Sequence, residues 1–204
     1  MSDVIDSAKE IIRKPVSMIV IGLVFAYNAC ENPFQTRTPE PPGQTQSSWL
    51  LPHSPGIVFI NLRDALAELN AVNYKRCFSD SFRFVPEAAV ANTNPGKFDG
   101  WNLQREGGYL EQMLNPLPRD SVFTLRLDSL STVDVGSESV IYLQRYELIA
   151  RHRLQSIGIP RKVSGEGRFW LGKNRFEEWS IYRWEDFASG SAFTWSTLKA
   201  AFSQ

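Results

Sequence analysis

The residues that do sulfur or imidazole chemistry are few in this chain. Among 204 residues there are two cysteines, Cys30 and Cys77, and two histidines. They are too few for a cysteine–histidine zinc cluster, and the two cysteines allow one disulfide at most. Cys77 falls on the inner face of a predicted helix, where a thiol is typically a small buried hydrophobe. We therefore expect no metal and no cofactor, and Cys30 needs another explanation.

Cys30 directly follows a run without charges. Residues 16–29 form that run of 14 positions, and three basic residues precede it. A membrane-spanning helix needs about 20 apolar residues, whereas the apolar part of a signal peptide needs roughly 7–15. The small Ala29 before Cys30 resembles the lipobox of bacterial lipoproteins, in which the cysteine is acylated, for example with palmitate, and becomes the first residue. The resemblance implies an exported protein, lipid-anchored in the bacterial cell envelope through Cys30.

Two alternatives stay open for this segment: a short uncleaved membrane anchor, or an ordinary secretory signal cleaved nearby. The next stretch, residues 31–56, holds six prolines among glutamines, threonines and serines. It cannot bury enough apolar surface to offset its ordering entropy, so it is typical of an extended tether. The sequence thus predicts a signal peptide over 1–29, a lipidated cysteine and tether over 30–56, and a folded domain over 57–204.

Charge gives little indication of a partner. Lysine plus arginine and aspartate plus glutamate both total 22, so no global field attracts nucleic acid. Residues 145–175 carry a local excess of eight basic residues over two acids. A basic face on adjacent strands would comprise Arg145, Arg151, Arg153, Arg168, Lys173 and Arg175. The interpretation that we favour is a solvated strand face whose charges deter edge pairing.

The pattern of apolar residues predicts the order of the elements. A long helix begins at Ser54–Pro55 and ends near Cys77, and a short strand and a loop over 86–100 follow it. A second helix is capped by Asn102, and four strands and a short amphipathic tail complete the chain. Trp179 and Ile181 alternate in one phase, and Trp184 and Asp186 in the other, so we expect a bulge in the last strand. We assign Gly165, Gly167 and Gly172 to turns or bulges.

This element order is similar to the nuclear transport factor 2-like, or cystatin-like, cone fold. The segments "NLRDALAELNAVNYKRCFSDSFRF", "FEEWSIYRWEDF" and "TWSTLKAAF" look like those of exported bacterial lipoproteins of that superfamily. The resemblance covers about residues 57–204. It implies an α+β fold in which a long N-terminal helix packs on a strongly curved antiparallel sheet, giving a cone shape. Some relatives are isomerases, dehydratases or cyclases that use an aspartate, histidine or tyrosine inside the cone; the candidates here are Asp186, His152, Tyr142, Tyr146 and Tyr74.

No motif in the chain commits it to a reaction. There is no G-x-S-x-G elbow, and no strand carries paired carboxylates that would both aim inward. We therefore expect a lipid-anchored envelope protein whose domain binds a small apolar ligand or an envelope protein without catalysis, with the membrane as partner through the anchor and no nucleic acid. The alternatives are an exported enzyme of the same fold with an Asp/Tyr/His pocket, and a structural subunit of an envelope assembly.

Overall fold

The computed structural model describes residues 48–117, 121–190 and 193–203. The predicted signal peptide, Cys30 and most of the tether lie outside these residues. Residues 47–204 form one compact unit. Its helices are α1 (Pro55–Ala67), α2 (Ala71–Arg76), α3 (Ala88–Thr93), α4 (Leu103–Leu114) and α5 (Trp195–Phe202), and its strands are β1 (Phe78–Val85), β2 (Phe123–Gly136), β3 (Ser139–Ala150), β4 (Lys162–Lys173) and β5 (Trp179–Phe187). None of the helices within the described ranges has the length and apolar character needed to cross a membrane.

The prediction of one long first helix is wrong in one respect: the segment forms two helices, α1 and α2. The chain leaves the helical conformation after Ala67, and Leu69 has a positive φ of 56°. The Asn70 side chain then accepts a hydrogen bond from the Asn73 amide at 3.0 Å and caps α2. Cys77 ends α2 as a buried free thiol, and burial raises its pKa, so it remains protonated.

The five strands form one sheet in the order β1-β5-β4-β3-β2. The strands β2 to β5 form an antiparallel meander, as predicted. The sheet is curved, and the helices pack against it, so the α+β cone fold is confirmed. One pairing differs from the prediction: β1 runs parallel to β5. A parallel neighbour requires a long crossover connection, which α3, α4 and the meander supply.

The predicted bulge in β5 is confirmed. Trp170 of β4 pairs with Arg183, while the next residue, Leu171, pairs with Ile181. Tyr182 is therefore the extra residue, and the alternation of the side chains changes phase at this point. Because of this bulge, Trp179 and Ile181 before it and Trp184 and Asp186 after it are all buried.

The prediction that the glycines of β4 lie at turns or bulges is wrong for two of them. Gly165 and Gly167 are not at turns or bulges; they lie where β4 pairs regularly with β3. A Cβ atom at Gly165 would lie 2.4 Å from the Phe187 carbonyl oxygen and 2.7 Å from the Tyr146 hydroxyl oxygen. The absence of a side chain at Gly165 therefore leaves room beside β4 for the Tyr146 hydroxyl group and the Phe187 carbonyl group.

Side chains bond to backbone amides at the start of each of the three later helices. Asn102 accepts a hydrogen bond from the Arg105 amide at 3.1 Å and starts α4 at the predicted place. At the start of α5, the predicted amphipathic tail, the Thr197 hydroxyl oxygen accepts the Thr194 amide at 3.3 Å, which is half of a capping box. The predicted loop over 86–100 instead contains α3, whose first amides are bound by the carboxylate of Glu87. This six-residue helix has no apolar stripe, so the sequence pattern did not reveal it.

The space between the helices and the sheet is filled by aromatic side chains. The largest that are fully buried include Trp101, Trp184, Trp195, Phe82, Phe123 and Phe169. Several of these rings contact other rings in tilted or edge-to-face arrangements; the rings of Trp184 and Trp195, for example, meet edge-to-face with their centroids 4.7 Å apart. The interior of the cone, where an open pocket would lie, is therefore packed.

Candidate functional site

Asp186 lies on β5 inside the cone, and its carboxylate is hydrogen-bonded on both oxygens. Its Oδ1 accepts the Tyr146 hydroxyl at 2.6 Å. Its Oδ2 accepts the Ser196 amide at 2.8 Å and the Ser196 hydroxyl at 2.5 Å. The side chain is 2% exposed. The acid therefore holds the first turn of α5 against the sheet.

Tyr146 connects this carboxylate to the backbone of α5. Its hydroxyl oxygen accepts the Trp195 amide at 2.8 Å while its proton goes to Asp186. Burial, followed by the charge of Asp186, raises the pKa of Tyr146 far above its usual range. Burial also raises the pKa of Asp186, although hydrogen bonds from Ser196 and Tyr146 oppose this effect. A tyrosine that stays protonated and donates to the acid beside it is not a base for an external substrate.

A buried ion pair that the sequence analysis did not predict lies on the other side of Trp195. The Lys199 ammonium of α5 contacts both carboxylate oxygens of Glu106 on α4, and both side chains are 0% exposed. Two further donors saturate the carboxylate: the Tyr74 hydroxyl at 2.6 Å and the Trp101 indole N–H at 2.7 Å. Glu106 occupies the apolar stripe of its helix with Leu110 and Met113. That position was the one indication in the sequence that Glu106 is buried.

Aromatic rings surround the Lys199 ammonium. Its nitrogen lies 3.8 Å from the ring centre of Phe84 and 3.9 Å from the ring centre of Trp184. Burial lowers the pKa of Lys199 to about 8, and the charge of Glu106 acts in the opposite direction. The ammonium is therefore charged at neutral pH, and the ion pair and the ring faces offset the cost of burying that charge.

Two tyrosines join the ion pair to Trp195. The hydroxyl groups of Tyr74 and Tyr109 are 2.9 Å apart, and the Trp195 indole N–H donates to Tyr109 at 2.9 Å. Burial raises the pKa of both tyrosines well above the usual value. The hydrogen bonds thus run continuously from Asp186 through Tyr146, Trp195 and Tyr109 to the ion pair. We call this set the core network; its members are Tyr74, Trp101, Glu106, Tyr109, Tyr146, Asp186, Trp195, Ser196 and Lys199.

The remaining candidates lie outside this network. His152 Nδ1 accepts the Leu154 amide at 3.2 Å, and Nε2 lies 3.0 Å from the Pro160 carbonyl oxygen. This arrangement suits a neutral ring with its proton on Nε2, and burial lowers the pKa of His152 accordingly. Tyr142 is half-buried and packs edge-on against Phe59. The structure therefore brings Asp186, Tyr146 and Tyr74 into one network but leaves His152 and Tyr142 apart from it.

The six residues of the predicted basic face do not form one uniform surface. Arg145, Arg168 and Lys173 lie within ion-pair distance of Glu166, Glu185 and Glu177. Arg153 donates to the carbonyl oxygens of Gln112 and Asn115. Arg175 lies over the ring of Phe176 at 4.7 Å, and Arg151 bonds through its amide to the Val122 carbonyl oxygen. Acids of neighbouring strands and of the β4–β5 turn therefore pair with three of the six residues.

Three clefts lie at the surface of the described part of the chain. One, of about 470 Å³, is lined by residues of both signs of charge, among them Arg76, Asp80 and Glu178, beside Trp49 and Trp179. A second, of about 420 Å³, lies between α3 and α5. A third, of about 310 Å³, lies around Arg145 on β2 to β4, and Tyr146 and Gly165 also line it. Within the described ranges no three histidine, cysteine, aspartate or glutamate side chains are grouped so as to hold a metal ion.

Comparison with known proteins relates the chain to others through its fold. No family model and no curated protein matches it. One solved structure is described as a putative aromatic ring hydroxylase from Novosphingobium aromaticivorans. It has a TM-score of 0.53 to this chain at 9% identity, and the match covers 69% of this chain and 91% of that one. A conserved protein from Planctomyces limnophilus has a TM-score of 0.50 at 14% identity over 64% of this chain and 89% of its own. A nuclear transport factor 2-like protein from Shewanella oneidensis has a TM-score of 0.46 at 12% identity over 64% and 93%.

The likenesses to the Novosphingobium and Planctomyces structures, at TM-scores of 0.53 and 0.50, agree with the element order, the curved sheet and the helical cover described above. The domain therefore has the predicted α+β fold, in which helices cover a curved sheet. At identities of 9–14% the likeness shows the fold alone, and the fold hosts many functions. Any statement about function has to come from the residues of this chain.

Proposed function

We propose that this chain is a lipid-anchored cell-envelope protein whose single cone domain binds a small ligand or a protein partner without catalysis. One observation favours this proposal over an enzyme: the acids and the lysine inside the cone already have hydrogen-bond or ion-pair partners within the protein. Asp186 and Glu106 each accept at least three hydrogen bonds from the protein, and Lys199 is enclosed by Glu106 and aromatic rings. A general acid or base must instead reach a substrate atom within hydrogen-bond distance.

The anchor is supported by the sequence around Cys30, with Ala29 before it and an uncharged run before that. The folded domain supports a tether shorter than the sequence predicts. The Leu50 amide and carbonyl group both bond to the Asn61 side chain, at 2.9 and 2.7 Å, and the Pro52 carbonyl oxygen accepts the Trp179 amide at 2.8 Å. The tether would then run from Cys30 to about residue 47, which reaches about 50 Å when extended at ~3.1 Å per residue.

Replacing Cys30 by alanine tests the anchor. Metabolic labelling with a radioactive fatty acid is expected to mark the wild-type chain and to leave Cys30→Ala unmarked, because only the thiol at that position would be acylated. Cys77→Ala is the matched control and should be labelled like the wild type, since Cys77 is 1% exposed. Equal labelling of the wild type and Cys30→Ala, or no labelling of either, contradicts the anchor.

The fate of a bound molecule tests the absence of catalysis. The full chain is purified from its membrane with its bound small molecules, which are identified by mass and added back to fresh protein for repeated cycles. We expect each molecule to be recovered with an unchanged mass and an unchanged NMR spectrum, because an isomerase alters the structure of a molecule without altering its mass. A changed mass or spectrum, with the change abolished in Tyr146→Phe or Asp186→Asn, would establish the enzyme alternative. Tyr142→Phe, outside the core network, is the control.

A further inference from the structure

The cleft of about 420 Å³ between α3 and α5 has the composition of a binding site for an amphiphile. Its volume lies within the range of about 300–1,000 Å³ that is typical of small-molecule sites. The walls are the apolar side chains of Val90, Ile159 and Phe193, and small alanines from both helices leave room between them: Ala89, Ala200 and Ala201. Phe193 is 44% exposed, so its ring is accessible to a ligand in the cleft.

The polar side chains around this α3–α5 cleft mostly bond to their own backbone. Glu87 accepts the Ala89 and Val90 amides. Thr93 donates to the Ala89 and Val90 carbonyl oxygens, Asn94 donates to the Val90 carbonyl oxygen, and Thr197 accepts the Thr194 amide. These hydrogen-bonding groups are therefore largely used, and the cleft presents a mainly apolar surface to a ligand.

Lys97 is the exception at the rim. Its ammonium group donates to the Ala200 carbonyl oxygen at 2.8 Å, in the last turn of α5. That single bond fixes the ammonium at one end of the cleft and leaves two of its three protons for another acceptor. Within the described residues no carboxylate lies at ion-pair distance from it. An anionic head group would find a positioned cation there.

We propose that the α3–α5 cleft binds an anion carried on a single aliphatic chain, such as a medium-chain carboxylate. The chain lies against Val90, Ile159 and Phe193, and the head group pairs with the Lys97 ammonium. The inference rests on the proposed function, because it names the ligand class of a non-catalytic binding protein. The cleft beside Trp49 fits this class less well, since two acids, Asp80 and Glu178, line it. The α3–α5 cleft has one acid, Glu87, whose carboxylate is bound by helix amides.

Photolabelling of the full chain in isolated membranes, without detergent, tests the site. The probe is decanoic acid with a diazirine in its chain, and labelled peptides are mapped by mass spectrometry. We expect adducts on peptides that contain Val90, Phe193 or Ala201. Ala89→Trp, at an exposed position, and Ala201→Trp should each reduce this labelling at least tenfold by filling the cleft. Ser81→Trp, which fills the cleft beside Trp49, should leave it unchanged.

Competition tests the role of the charge. Unlabelled decanoate and decan-1-ol are compared by their half-maximal competing concentrations in the wild type and in Lys97→Gln, in which the amide can still donate to the Ala200 carbonyl oxygen. The ratio of the two concentrations should shift at least threefold against decanoate in the variant. Partitioning into the membrane cancels, because it is the same for both proteins.

Several results would overturn the proposal. Adducts spread over many peptides, labelling that resists both tryptophan variants, or an unchanged competition ratio each contradicts it. Adducts confined to another cleft would refute this site and leave the proposed binding function standing. A probe recovered from the protein with altered chemistry would refute the non-catalytic function itself.

Discussion

Replacing Lys199 by methionine is expected to lower the free energy of unfolding by about 3–5 kcal/mol, the cost typical of removing one partner of a buried ion pair. Methionine preserves much of the apolar volume, but the Glu106 carboxylate is left 0% exposed without its cation. The Tyr74 and Trp101 donors remain and satisfy only part of that charge. Urea unfolding of residues 47–204, followed by tryptophan fluorescence, measures the change.

Two further variants separate the buried charge from general damage to the core. Lys199→Met combined with Glu106→Gln removes the unpaired charge and should recover at least half of the loss. Lys173→Met breaks the exposed ion pair with Glu177 and should cost no more than about 1 kcal/mol. A Lys199→Met domain within 1 kcal/mol of the wild type would mean that the ammonium does not sit in the closed environment described.

Replacing Asp186 by alanine is expected to cost about 2–4 kcal/mol. The change leaves the Tyr146 hydroxyl and both donors of Ser196 without their acceptor, and buried unsatisfied donors cost about 1–3 kcal/mol each, partly offset because a buried charge is removed. Asp186→Asn keeps one acceptor oxygen and should lose about half as much. The same unfolding measurement applies. A loss below about 1 kcal/mol in Asp186→Ala would show that this carboxylate does not hold α5.

The pH dependence of Asp186→Asn gives an independent check. Burial raises the pKa of Asp186 above its ordinary value, so the folded chain keeps a proton that the unfolded chain has already released. Between the ordinary and the raised pKa, the stability of the wild type should therefore fall as the pH rises. Asp186→Asn should lack this contribution, and the difference between the two proteins should change through that window.

Sequence patterns predicted the features that depend on residues close together in the chain. The Asn102 cap, the bulge in β5 and the tail helix depend on residues a few positions apart, and the structure has all three. The break at Leu69 was not predicted, because a leucine with positive φ has no sequence signal. The parallel pairing of β1 with β5 joins segments about 100 residues apart in the chain, which no local period encodes.

The core network was predicted only in part, because its members are far apart in the sequence. Asp186 and Tyr146 were candidates, and they bond to each other across 40 positions. Glu106 and Lys199 are 93 positions apart, and each is a charged residue whose ordinary place is the surface. Their positions on apolar stripes were the only indication of burial. Their partnership required the tertiary fold, which brings α4 against α5.

Native-state hydrogen exchange at the start of α5 tests the sealed interior most directly. The Trp195 and Ser196 amides stand in the first turn, where helical amides usually lack a partner, but here they bond to Tyr146 and Asp186. The account predicts that both exchange only through global unfolding, with protection equal to that of the Leu148 amide in β3. The amide of exposed Ala89, in the first turn of α3, bonds to Glu87; it is the comparison and should exchange far faster. Exchange of Trp195 and Ser196 as fast as Ala89 would contradict the account, because it would mean that the cone opens to solvent at Asp186.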